Sequence, residues 1–178
     1  MRILSFCIMP NHWHLILYPE KSEDLSIFMR WITHTHTQRY HAQHKSIGYG
    51  HVYQGRFKSF PVEKDDYFIQ LCRYVERNPL RANLVKKAQD WRWSSLWMRE
   101  KGTKKQKALL SAWPVEKPLA YLKWLNTLQK DEEEKLETIR YSIKKGKPFG
   151  GDSWIKRVAE KLGLGSTLKQ RGRPKKGT

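Results

Sequence analysis

The stretch Met9-Pro10-Asn11-His12-Trp13-His14-Leu15-Ile16-Leu17-Tyr18 decides how the first part of the chain is read. Pro10 and Asn11 both favour a turn. His12 to Tyr18 then reads as a strand that Pro19 stops. Upstream, residues 2–9 are apolar and strand-like, so the two runs predict an antiparallel hairpin. In a strand, residues i and i+2 share a face and stand about 6.6–6.8 Å apart along the chain. His12 and His14 therefore point to one side and Trp13 to the other. Two imidazoles at that spacing suit one divalent metal ion. The plain alternative is two ordinary histidines at a strand start, and the tripeptide alone leaves both open.

Thr33-His34-Thr35-His36-Thr37 repeats the spacing in a different setting. Asp24 is placed to cap a helix from Leu25 to His44, whose apolar residues Leu25, Phe28, Met29, Ile32 and Tyr40 keep a helical period. In a helix, i and i+2 point to nearly opposite sides. His36 joins the stripe of Ile32 and Tyr40 as a packed or capping histidine. His34 and His41 lie on another face with Arg30 and Gln38. That face is either plain polar surface or a phosphate-contacting one.

Gly48-Tyr49-Gly50 breaks the helix, and His51 to Val62 reads as extended. Asp65 or Asp66 caps a second helix through Asn78, ended by Pro79. Its stripe is Phe68, Leu71, Cys72 and Val75. Tyr74 and Asn78 are an i,i+4 pair on one face, off that stripe. A tyrosine hydroxyl is a weak nucleophile until a metal or base assists it. The Asn78 amide oxygen, one turn on, suits a His-His-amide metal site beside that hydroxyl. The alternative is a half-buried tyrosine and a pre-proline helix end. A basic turn from Pro79 to Val85 follows, and the aromatic run Asp90 to Trp97 closes a first domain of residues 1–100.

Residues 101–165 form a helical C-terminal region, entered through a polar linker over 99–107 and patterned for helices near 117–129, 131–145 and 153–162. Asp131 to Glu134 open the second of these and Lys144-Lys145 end it, as the helix dipole favours. That charge run reads as a solvated helix, not a metal site. Residues 166–178 are a basic tail. Within it, Arg171-Gly172-Arg173-Pro174 suits an extended chain whose two arginines enter a narrow A·T-rich minor groove.

Composition narrows the partner. Lysine and arginine number 35 against 17 acidic residues, a formal net charge of +18 over 178 residues. A polyanion is the default partner for such an excess, nucleic acid first. Eight tryptophans and 12% aromatic residues exclude a disordered polycation. No apolar run is long enough for a membrane span. Two cysteines, Cys7 and Cys72, make neither a zinc knuckle nor a disulfide framework, which points to a reducing cytoplasm.

Six blocks taken in order resemble the REP-associated tyrosine transposases, a branch of the single-tyrosine HUH transposases. They are Met9 to Leu17; Gln54-Gly55-Arg56-Phe57-Lys58-Ser59-Phe60; Tyr74-Val75-Glu76-Arg77-Asn78-Pro79-Leu80-Arg81-Ala82; Asp90 to Ser95; Gly146-Lys147-Pro148-Phe149-Gly150; and Arg171 to Pro174. The resemblance implies an α+β, ferredoxin-like antiparallel sheet with helices on one face. That fold has a strand and a helix before the strand that starts at Arg2, so the chain is expected to lack its first strand and helix. Either the start is truncated, or the strand carrying the histidines pairs differently, with residues 56–62 or with another subunit in a homodimer; unpaired, it would be an exposed edge prone to association. The resemblance makes His12, His14 and Asn78 ligands of Mg2+ or Mn2+ and Tyr74 the nucleophile. It makes the substrate single-stranded DNA beside a palindromic hairpin in the bacterial nucleoid. Arg30, His34, Arg56, Lys58, Arg171 and Arg173 are the expected DNA contacts. Two other readings stand beside strand transfer: a relative that binds DNA hairpins without turnover, and an RNA-hairpin binder.

Overall fold

The computed structural model describes residues 1–48 and 50–169, and its fold is α+β. Strands β1 (Arg2–Ile8) and β2 (Trp13–Tyr18) form a two-stranded antiparallel sheet. Helices follow as α1 (Asp24–His44), α2 (Asp66–Glu76), α3 (Asn78–Arg81), α4 (Ser95–Lys101), α5 (Lys104–Lys107), α6 (Tyr121–Asn126), α7 (Glu132–Lys145) and α8 (Asp152–Lys161). The chain packs into two units, each discontinuous in sequence: residues 1–57 with 72–128, and residues 58–71 with those from 129 onward.

The hairpin turns where Pro10 and Asn11 predict it, closed by the Met9 N–H donating to the His12 carbonyl at 2.8 Å. A register shift between Ile3 and Ser5 marks a bulge, and Leu4 and Ser5 are both buried there. An extra residue in one strand breaks the strict alternation of faces. The outer edge of β1 is well covered. The Ile8 N–H donates to the Trp93 carbonyl, the Phe6 N–H to Ser95 Oγ, and the Ile3 carbonyl accepts from the Ser111 N–H. The Leu4 carbonyl accepts from both Arg99 and the Trp113 indole. The aromatic run of residues 90–97 thus serves as an edge cover, with Ser94 accepting from the Trp97 N–H as the N-cap of α4.

Several elements differ from their sequence reading. Asp24 does not cap α1; its carboxylate reaches back to the backbone N–H groups of Glu20 and Lys21, and Glu23 is the cap residue. Residues 51–62 form no strand. Only Val62 makes a single bridge, with Phe149, and residues 56–62 do not pair with β2. Helix α2 ends at Glu76 rather than Asn78, and Pro79 sits in the first turn of α3, where its missing N–H costs nothing. The expected linker over 99–107 carries the end of α4 and the one-turn α5, which has a Thr103–Gln106 capping box.

In the first unit, Arg77 and Arg73 donate to the carbonyls of Leu125 and Thr127 at 2.6 and 2.7 Å. Two guanidinium groups thus satisfy the carbonyls left over at the end of α6. In the second unit, Leu136, Ile139, Phe149, Ile155 and Ala159 are buried. Glu63 accepts from the Gly151 N–H at the start of α8. A Cβ on Gly150 would stand 2.6 Å from the Trp154 ring and 2.7 Å from Glu63, so that close approach requires glycine.

Candidate active site

Strand register places His14 directly opposite Cys7 on β1, while His12 sits in the turn just before β2. Their rings nevertheless converge, with centroids 5.1 Å apart and planes at 83°. His12 Nδ1 lies 2.7 Å from Asn11 Oδ1. With Nδ1 as the donor, the Nε2 lone pair is left for a ligand. His14 is held neutral: burial, then the charges of His12 and Arg81, lower its pKa to about 4. A neutral imidazole is the form that ligates metal.

Tyr74 comes to this pair from α2. Its ring packs edge-on against His14 at 5.5 Å, and the Arg81 guanidinium lies 4.8 Å from its centroid. Tyr74 is off the stripe of Phe68, Leu71 and Val75, yet it is buried. The α2 sequence shows one apolar stripe, but the helix is covered on a second face by the hairpin. The Tyr74 hydroxyl makes no hydrogen bond among the described residues and is not one of the fully buried polar atoms that lack a partner. Asn78 is buried one turn on, as the first residue of α3. Its Oδ1 accepts from Arg81, and its Nδ2 is buried with no acceptor among the described residues.

Two imidazoles and one amide oxygen form a donor set of the right kind for a divalent ion. The imidazoles fit as they stand, whereas the Asn78 oxygen is engaged by Arg81. Among the described residues, no group of three or more histidines, cysteines or carboxylates is placed to hold a metal. Cys7 is not a ligand candidate. Burial, and then the Glu76 charge, push its thiol to about 12, so it stays protonated.

The remaining sequence candidates fall elsewhere. Arg30 and His34 are exposed on α1. Arg56 is exposed near the end of the first unit's opening segment, and Lys58 is exposed in the second unit. Arg171 and Arg173 lie outside the described residues. His36 is exposed rather than packed in a stripe, and its Nδ1 lies 2.8 Å from the Tyr53 hydroxyl. The Tyr53 ring in turn packs edge-on against Trp13 at 6.2 Å. Sequence reasoning assigned no role to Arg81, which touches both Tyr74 and Asn78. The available signal was spacing, because Arg81 lies seven residues beyond Tyr74 and three beyond Asn78.

Among the described residues, no helix is long and apolar enough to cross a membrane. No curated protein and no solved structure matches the chain. Residues 1–78 match the family model described as Transposase IS200 like. The matched stretch ends on Asn78 and contains His12, His14 and Tyr74, so the part of the chain that builds this site is similar to the IS200-like transposases.

Proposed function

We propose that this chain cleaves and rejoins single-stranded DNA beside palindromic hairpins, with Tyr74 as the nucleophile. The observation that carries the reading is Tyr74 packed against a neutral His14, its hydroxyl making no hydrogen bond among the described residues, inside the transposase-like stretch. The Tyr74 oxygen attacks phosphorus. A bond from Tyr74 Oη to phosphorus forms, the bond to the 3′ oxygen breaks, and the proton leaves the phenol while the departing oxygen becomes a 3′-hydroxyl. The product is a 5′-phosphotyrosine. Attack by a 3′-hydroxyl reverses the step, so one phosphodiester replaces another and no nucleotide cofactor is needed. Bound Mg2+ or Mn2+ would withdraw charge from the scissile phosphate. His12 and His14 would hold that ion, with the Asn78 oxygen as the third ligand. Arg81 keeps a positive charge beside the tyrosine where negative charge develops. Arg30, His34, Arg56 and Lys58 contact phosphates, and Arg171 and Arg173 enter the minor groove. The later blocks, from Asp90-Trp91-Arg92-Trp93 to Arg171-Gly172-Arg173-Pro174, favour the REP-associated branch.

A second reading is a DNA-hairpin binder without turnover. It is favoured by the Asn78 oxygen being held by Arg81. A denaturing gel for covalent protein–DNA adduct, on single-stranded hairpin substrates with Mn2+ or Mg2+, separates the two. Tyr74→Phe is expected to abolish adduct and spare hairpin binding. His14→Ala is expected to abolish both adduct and Mn2+ binding measured by calorimetry. Adduct that persists in Tyr74→Phe would assign another nucleophile. Tight hairpin binding with no adduct in the parent chain would leave the binding reading.

A further inference from the structure

Helix α1 turns its large apolar side chains the wrong way for a helix whose only purpose is to cover a core. Met29 is its one buried residue, whereas Trp31 is 62% exposed and Ile27 52% exposed. At about 3.6 residues per turn, Ile27, Arg30, Trp31, His34 and Gln38 share one face, opposite Met29 and Ile32. Phe28 flanks that face, its ring 6.1 Å from Trp31 and tilted by 39°. The helix carries Arg30, Arg39 and four histidines against one carboxylate, Asp24, which is already engaged by the backbone of Glu20 and Lys21.

An exposed indole beside an arginine and a histidine has the chemistry of a single-strand platform. Unpaired bases offer a π-face to an aromatic ring, and the backbone between them offers phosphates to arginine. Paired bases hide those faces inside the duplex. We propose that this face of α1 is a stacking ledge for unpaired nucleotides, with Trp31 as the platform and Arg30 and His34 taking the flanking phosphates. A strongly cationic chain argues for this occupant over a second copy of itself, whose like charge would oppose docking on the same face. The proposal rests on the DNA reading above and gives it a means of telling single strand from stem.

The test uses the full chain, a labelled oligo(dT) strand and a blunt DNA hairpin with no single-stranded flank and a polyether linker in place of its loop, read by fluorescence anisotropy across a salt series. Trp31→Ala is expected to weaken oligo(dT) binding roughly 5- to 150-fold, equivalent to about 1–3 kcal/mol per stacked base. It should leave hairpin affinity and the salt slope unchanged, because stacking releases no counterions. Trp31→Phe should retain most of the affinity. Arg30→Ala should instead lower the single-strand salt slope by about 0.7. Unchanged oligo(dT) affinity in Trp31→Ala would overturn the ledge. So would an equal loss on the blunt hairpin, or a change in solution mass with DNA binding intact. The covalent-adduct assay is independent. Loss of adduct chemistry with the Trp31 effect intact would sink the transposase reading alone.

Discussion

Helix α2 carries two polar clusters within a few residues of each other, and they are built in opposite ways. The Glu76 carboxylate is completely buried and accepts from three hydroxyls: Ser5 at 3.0 Å, Ser95 at 2.9 Å and Tyr121 at 2.9 Å. Those donors come from β1, α4 and α6, so one side chain ties three elements to α2. The cluster of His14, Tyr74 and Asn78 is left incomplete. Among the described residues it holds a buried amide nitrogen without an acceptor and a tyrosine hydroxyl, not fully buried, that makes no hydrogen bond. It also holds an imidazole kept from its proton. A buried polar group is costly unless paired. The Glu76 cluster meets that requirement within the protein, and the Tyr74 cluster leaves it for a ligand to meet. The degree of satisfaction, more than burial or polarity, separates the structural cluster from the candidate catalytic one.

The largest effect expected from this contrast is on stability. Glu76→Ala leaves the buried Tyr121 hydroxyl without its acceptor, while Ser5 and Ser95 keep each other and the Phe6 carbonyl, and should cost about 1–3 kcal/mol. Tyr74→Phe should cost less than about 1 kcal/mol, because the hydroxyl it removes makes no hydrogen bond among the described residues. Urea unfolding of the two variants compares them directly. Similar losses in both would erase the distinction.

The second effect is a pH dependence of opposite sign in the two clusters, read on the metal-free chain. His14 has a folded pKa of about 4, below its ordinary 6.5. Its contribution is present above pH 6.5 and is lost as pH falls toward 4, since the unfolded chain takes up the proton first. Glu76 has a folded pKa raised above 4.5, chiefly by burial. Its contribution is fully present below 4.5 and is lost as pH rises through the folded value. Thermal melts from pH 4 to 8 should therefore lose their acid-side decline in His14→Asn. In Glu76→Gln they should lose the decline on rising pH. A His14→Asn curve that superimposes on the parent would refute the first assignment.

The smallest effect compares the two edges of the hairpin. Phe6 and Ile8 point their N–H groups at Ser95 and Trp93, so Cys7 and its partner His14 face each other across the sheet. By alternation, Leu15 and Leu17 direct theirs to the far edge of β2, where no hydrogen bond is made among the described residues. Amide hydrogen exchange should be faster at Leu15 and Leu17 than at Phe6 and Ile8. Protection of Leu15 that grows with protein concentration would instead reveal a strand partner from a second copy.

Much of the frame was legible because it depends on near neighbours in the chain. Pro10-Asn11 announced the hairpin, helical periodicity announced α1 and α2, and the charge run of residues 131–145 announced α7. The errors fall where a local signal had two outlets. Asp24 reads as a cap, but its carboxylate found nearer donors behind it. Residues 51–62 alternate like a strand, but only Val62 pairs, in a single bridge to Phe149.

The sequence by itself placed His12 and His14 two residues apart at the start of a strand, and Tyr74 and Asn78 one helical turn apart. It also determined the cationic excess that selects a polyanion. The tertiary structure alone decided that the two pairs meet, that Arg81 holds the Asn78 oxygen, and that Tyr74 is buried although it lies off the apolar stripe. It alone decided that Glu76 is structural, because its donors lie 71, 19 and 45 residues away. The physical reason is range. Periodicity and capping act over a few residues and leave a trace in composition and spacing. Burial, hydrogen-bond satisfaction and pKa depend on whatever distant segment packs alongside, and no local pattern encodes that partner.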